Sequence, residues 1–241
     1  MSKTYKISIA EIEVEVVKKA IKNIHLSVYP PNGRVRIAAP VKMEEESIRL
    51  FAISRLNWIK KQRKEVLGQE REAPRDYVTG ETHYYKGATY LLEVIERDSP
   101  PGVVLRNKKY MVLYVRPGAT AEKREQVLKD WYRRQMKAEI PALLQKWEAR
   151  ISVKAADWGI KQMRTKWGSC NIEAERIWLN LELAKKPAVC LEYIIVHELV
   201  HLLERNHNAR FIALMDRFMP NWRRYKEELN RLPVRHEDWE Y

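Results

Sequence analysis

The sequence predicts an α+β protein, and three observations carry that reading. The first forty residues alternate apolar and polar side chains at period two, as half-buried strands do. Two later stretches, 44–67 and 121–150, place their apolar residues at helical spacing instead. A third helical stretch, about 188–204, is apolar on nearly every side ahead of His197-Glu198-Leu199-Val200-His201. Two regions are expected, a smaller β-rich α+β region over 1–120 and a second domain over 121–241.

The elements follow in order. Lys6 to Ile9, Glu11 to Val16 and His25 to Tyr29 put Ile, Leu and Val on one face. Pro30-Pro31-Asn32-Gly33 signals a turn, and Val35 to Ala38 resumes the alternation, which predicts a hairpin. From Glu44 to Leu67 the period becomes helical, with Ile48, Phe51, Ala52, Leu56, Ile59 and Val66 as the stripe. Acids come early and Lys/Arg late, which suits the helix dipole. Polar residues 68–76 form a connector. Strands are then expected at Thr82–Tyr85, Thr89–Ile95, Val103–Leu105 and Met111–Val115, separated by Gly and Pro. The helix over 121–150 contains Pro141, which is expected to kink or divide it. A loop-rich stretch follows, then a strand over 176–183, and Pro187 suits the first turn of the next helix. No internal repeat is visible.

Composition excludes some classes. Aromatic residues make up 10% of the chain, eight of them Trp, which argues against intrinsic disorder. No apolar run approaches the ~18 residues that span a bilayer, and the first residues do not lead into a signal-peptide stretch, so a cytoplasmic protein without membrane association is expected. Cys170 and Cys190 form no Cys-x-x-Cys pair and are expected to be small buried residues. The formal net charge is +13, with basic clusters at Lys60–Lys64, Arg106–Lys109, Arg133-Arg134 and Arg223-Arg224. Such a surface suits nucleic acid or nucleotides, or simply keeps the protein soluble.

His197-Glu198-x-x-His201 is the H-E-x-x-H pattern. Side chains four apart on a helix differ by roughly 40° in direction, so two imidazoles can reach one Zn²⁺. Glu198 is turned by about 100°, beside the ion and not directed at it, where a carboxylate can take a proton from water. A catalytic zinc needs a third protein ligand, and His207 is the candidate. It reaches the same ion only if the helix ends near Glu204 and the chain folds back through Arg205-Asn206, where Asn206 tolerates a left-handed turn. His25, His83 and His236 have no comparable setting and are expected to be structural or surface residues.

Lys166-Trp167-Gly168-Ser169-Cys170, Leu179-Asn180-Leu181, the His197–His201 motif with His207 and Phe211, and Pro220-Asn221-Trp222 together resemble the YgjP-like zinc metallopeptidases, relatives of the SprT-like proteases. Trp58-Ile59, Gly80-Glu81, Tyr85-Lys86-Gly87 and Tyr90 resemble that group's amino-terminal region, so the likeness covers nearly the whole chain. The resemblance implies a zincin-like catalytic domain carrying the H-E-x-x-H helix, one Zn²⁺ on His197, His201 and His207, and Glu198 as acid/base. Glu204 stands where metzincins carry glycine, so that label does not transfer; Met215 and Met219 are read as core packing, not as a methionine floor.

In zincin-like folds the strand before the active helix commonly offers its edge to an extended substrate, which here points to 176–183. Asn180 is either a substrate contact or a turn-stabilising side chain. Arg164 and Lys166 are candidates to polarise a substrate oxygen, or belong to a solvated loop.

Three functions stay open. One is hydrolysis of a peptide or protein substrate. The second is nucleotide phosphohydrolysis, a nucleoside triphosphate pyrophosphatase, which the charge favours and the lack of a P-loop opposes. The third is a non-enzymatic nucleic-acid-associated zinc module, which gains little from a base such as Glu198.

Overall fold

The computed structural model describes residues 4–29, 32–68, 75–163 and 166–231. The architecture is mixed α+β. The chain forms two compact units that divide between residues 72 and 73, so the boundary expected at 120 moves to 72. The reason is packing: the strands of 82–115 share one core with the helix that follows them.

The first unit holds β1 (Thr4–Ile9), β2 (Ile12–Lys19), β3 (His25–Tyr29) and β4 (Arg34–Pro40) in the order β1-β2-β4-β3. β2 and β4 run parallel, and the outer pairs antiparallel. Alternation does what the sequence predicts: Val14, Val16, Val35 and Ile37 are buried on one face against Ile48, Ala52 and Ile59. The expected single helix is two, α1 (Glu45–Ser54) and α2 (Leu56–Gly68), broken at Arg55. On the opposite face Arg36 donates to Glu15 at 3.0 and 3.1 Å, and Lys6 pairs with Glu13 at 2.8 Å.

The second unit begins with β5 (Thr82–Tyr85), β6 (Ala88–Glu96), β7 (Gly102–Arg106) and β8 (Tyr110–Val115), ordered β5-β6-β8-β7. Again the middle pair is parallel and the outer pairs antiparallel. The strand order and senses of the first sheet therefore recur, a repeat of topology that the residue pattern does not display. Both first hairpins use two left-handed residues, Ala10-Glu11 and Lys86-Gly87, as a tight turn compatible with strand twist requires.

α3 (Ala121–Ile151) is one uninterrupted helix despite Pro141. Thr120 caps it by accepting from the Lys123 amide, and Ser152 closes it in a left-handed conformation. An interior proline costs about 3 kcal/mol. Each fully buried large side chain contributes about 2 kcal/mol, so any two of Leu128, Trp131, Met136, Ile140, Leu144 and Trp147 outweigh it. Pro141 itself faces solvent.

The remaining elements build the site. β9 (Asp157–Lys161), β10 (Gly168–Asn171) and β11 (Arg176–Asn180) form a second sheet in the order β10-β11-β9. The sequence shows only β11, and shows it too long, because residues 181–185 turn into a 3-10 helix. α4 (Ala188–Val200), α5 (Ala209–Phe218) and α6 (Trp222–Arg231) complete the unit. Among the described residues no helix is long and apolar enough to cross a membrane.

Candidate metal centre

α4 carries the first two imidazoles. Its side chains are buried almost throughout, including Cys190, Ile195, Val196, Leu199 and Val200, which fixes the azimuth at which His197 and His201 emerge. Regular helix stops at Val200, and a final turn closes with the Glu204 amide donating to the Val200 carbonyl. The chain then reverses, but not through a left-handed Asn206. Glu204 Oε1 accepts from the Asn206 amide at 3.2 Å, and Asn208 caps α5 by accepting from Phe211 at 3.0 Å.

This reversal brings His207 back. The three imidazoles offer nitrogens within 4.8 Å of one another. His207 Nε2 and His197 Nε2 are 3.0 Å apart, and the three ring centroids are separated by 4.8 to 4.9 Å. Bonds of about 2.0 to 2.1 Å to a tetrahedral Zn²⁺ put ligand nitrogens ~3.3 Å apart, so the triad fits such an ion. His201 Nδ1 lies 3.1 Å from the Glu204 carbonyl, which can only accept, so Nδ1 donates and Nε2 keeps its lone pair for a metal. Phe211, 2% exposed, lies with its ring 4.7 to 5.0 Å from all three imidazoles and floors the site. Met215 and Met219 lie in the core.

Burial keeps the triad neutral. It pushes His197 down to about 3, helped by the neighbouring His201 and His207, and it lowers His201 and His207 as well. Neutral imidazole is the form that ligates. Glu198 is 4% exposed, and burial raises its carboxyl to about 8 while Lys166 pulls it the other way. Gly168 explains how Glu198 fits: a Cβ there would stand 2.5 Å from Glu198 Oε1 and 2.8 Å from Ile194 Cγ2.

A cleft of about 770 Å³ opens beside His201 and His207, lined by residues 166–173 together with Glu198, His201, Arg205 and His207. Two expectations need correction. The strand along the cleft is β10, an edge strand, whereas β11 lies between β10 and β9 and has no free edge. Asn180 is 4% exposed, and its amide is spent on the chain: it donates to the Met163 and Lys166 carbonyls at 2.9 and 2.7 Å and accepts from the Met163 and Glu182 amides. It holds the turn and does not touch the cleft. Lys166 lines the cleft, while Arg164 and His236 lie outside the described residues.

Sequence reasoning missed β10, Arg205, the packing of Gly168 on Glu198 and the role of Phe211. Two had a signal: Gly168 stands in the Lys166–Cys170 motif, and Phe211 is an aromatic four residues after the third histidine. His25 is exposed; His83 is buried 3.3 Å from Glu81 and does not line the cleft. Cys190 is buried as expected, but Cys170 is only half-buried, on the cleft wall, where burial lifts its thiol to about 11.

Three imidazoles converging beside a buried carboxylate, in a mixed α+β fold, define the class of metal-dependent hydrolases. The model of the YgjP-like metallopeptidase domain matches residues 22–232, most of the chain. The protein belongs to the YgjP-like metallopeptidase family. Among solved structures it is similar to the metallopeptidase zymogen of Methanocaldococcus jannaschii jannalysin. The identity is 20% and the TM-score 0.34, over 38% of this chain and 93% of that one. No curated protein matches.

Proposed function

We propose that the protein is a zinc-dependent peptidase of zincin-like fold, with His197, His201 and His207 holding one Zn²⁺ and Glu198 as general base. The observation that carries this is the convergence of three neutral imidazoles beside Glu198 at the floor of a cleft with a strand edge along one wall. The cation, when bound, acidifies water and polarises the scissile carbonyl. Glu198 takes the proton from that water and returns it to the departing amine. Its burial supports this role, because a carboxyl whose affinity for a proton is raised can both accept and release one near neutral pH. β10 offers its edge to an extended peptide, which adds as a further strand. Lys166 lies near enough to oppose the negative charge that grows on the substrate oxygen.

The test is Glu198→Gln, assayed beside the wild type with an unfolded protein substrate and with nucleoside triphosphates. The expected outcome is one zinc per chain in both proteins and peptide cleavage falling at least ~100-fold in the variant. Full activity in the variant sinks the role of Glu198. Pyrophosphate release from nucleotides without any peptide cleavage sinks the peptidase reading.

A further inference from the structure

The cleft is electrically lopsided. Elsewhere in the second unit cations are commonly neutralised in pairs, such as Lys86 with Glu139 at 2.9 Å, Lys146 with Glu192 at 2.6 Å and Arg176 with Asp157 at 2.7 Å. Lys166 and Arg205, both exposed and both lining the cleft, make no ion pair among the described residues. Lys226, on α6, adds its charge to the surroundings of His197 and His207 and makes no ion pair among the described residues. The nearby acids are otherwise engaged. Glu198 belongs to the site, and the Glu204 carboxylate accepts from the Asn206 amide with Arg210 4.0 Å away.

Among the described residues, the one acid on the cleft wall without an ion pair is Glu173, beyond the far end of β10. β10 leaves the catalytic end at Gly168, which packs against Glu198, and runs outward to the turn that holds Glu173. The three extended steps from Gly168 to Asn171 cover about 10 Å, Glu173 stands in the turn beyond them, and it makes no ion pair with Lys166. A peptide laid along β10 therefore meets positive charge where its bond is cut and negative charge four or five residues away.

We propose that the cleft selects peptides carrying a carboxylate beside the scissile bond and a cation four or five residues off along β10. Lys166 and Arg205 read the first, and Glu173 reads the second. The carboxylate is supplied by an Asp or Glu side chain or by a chain terminus. This rests on the peptidase reading above and adds its substrate class.

The experiment compares zinc-loaded protein on a set of quenched peptides with blocked ends. These differ only in Asp, Ala or Lys beside the cut, each with and without a Lys five positions away, plus an Ala peptide with a free carboxy terminus. Exposed charge pairs each change binding by a factor of a few, so the expected kcat/KM ratio of Asp to Lys peptides is about tenfold, rising further with the distal Lys. Lys166→Glu with Arg205→Glu should invert the ratio, and Glu173→Lys should remove the distal effect. Binding of the same peptides to Glu198→Gln, followed by fluorescence anisotropy, should rank them alike without turnover. Lys60→Glu with Lys64→Glu, in the first unit, should leave the ratio unchanged.

Faster cleavage of the free-terminus peptide than of its blocked twin assigns the carboxylate to a chain end; faster cleavage of the blocked Asp peptide assigns it to a side chain. Equal cleavage of Asp, Ala and Lys peptides overturns the proposal alone. So does a ratio that the remote pair shifts as much as the cleft pair. Peptides that are neither cut nor bound overturn the peptidase reading, and this proposal with it.

Discussion

The two four-stranded sheets share one strand order and differ in what they are attached to. In the first unit the β1–β2 turn, Ala10-Glu11, is exposed. In the second, the equivalent turn is docked. Lys86 and Gly87 donate their amides to the Ala184 and Lys185 carbonyls, each at 3.0 Å. Gly87 also lies against Pro187, the residue that caps α4, the helix of His197 and His201. The same topology thus belongs to a separate compact unit in one place and packs against the start of α4 in the other. The outer residues differ to match: Glu15 and Arg36 pair on the solvent face of the first sheet, while α3 locks onto the second through the Tyr132 hydroxyl, which donates to the Tyr84 carbonyl at 2.7 Å.

The contrast can be broken in three places. Gly87→Val should have the largest effect. Its φ of +79° disfavours any Cβ, and that atom would stand 2.8 Å from Pro187 Cγ. A cost of about 3 kcal/mol is expected, read by denaturant unfolding, together with weaker zinc binding because α4 loses its footing. Unchanged zinc affinity in a destabilised variant would show that the hairpin only adds stability and does not brace the site.

The second place is the position three residues before each turn, Ile7 in one sheet and His83 in the other. Burial, aided by Arg75, lowers His83 to about 4 from 6.5. Between these values the unfolded chain binds the proton and the folded chain does not, so stability rises with pH across that window. The neutral ring's contribution is whole above pH 6.5 and is lost as pH falls toward 4, about 2 kcal/mol by pH 5. The imidazole triad responds in the same direction, so the difference between wild type and His83→Leu isolates the effect. Parallel pH–stability curves for the two proteins would exclude it.

The third and smallest effect is Glu15→Gln, which removes a half-buried pair with Arg36 and should cost about 1 kcal/mol. Zinc content and peptide cleavage should not change. A loss of activity would show that the first sheet supports the site after all.

The triad was legible because helix geometry converts a four-residue spacing into a shared direction, and because His207 needs only a chain reversal to join it. The first four strands were legible from period-two alternation, and the next four from the Gly and Pro residues that separate them. What the residue pattern hid is informative. β10 is four residues, Gly-Ser-Cys-Asn, with no apolar alternation, and its glycine is set by the close approach of Glu198. The split at Arg55 and the continuity at Pro141 are tertiary outcomes, in which burial overrides local propensity. Asn180 was ambiguous for a plain reason: an amide suited to a substrate is equally suited to four backbone groups, and only coordinates show which it meets. The sheet repeat escaped notice because it resides in hydrogen-bond connectivity, which side-chain types constrain only loosely.

α3 has a practical corollary for anyone trimming the protein. A fragment cut at Ala121 would look tidy in sequence yet strip away β7 and β8, leaving Leu128, Trp131, Tyr132 and Met136 bare along a greasy flank some 14 Å long. Such a piece should precipitate on expression, whereas one starting at Arg75 keeps that flank covered and carries every histidine of the triad.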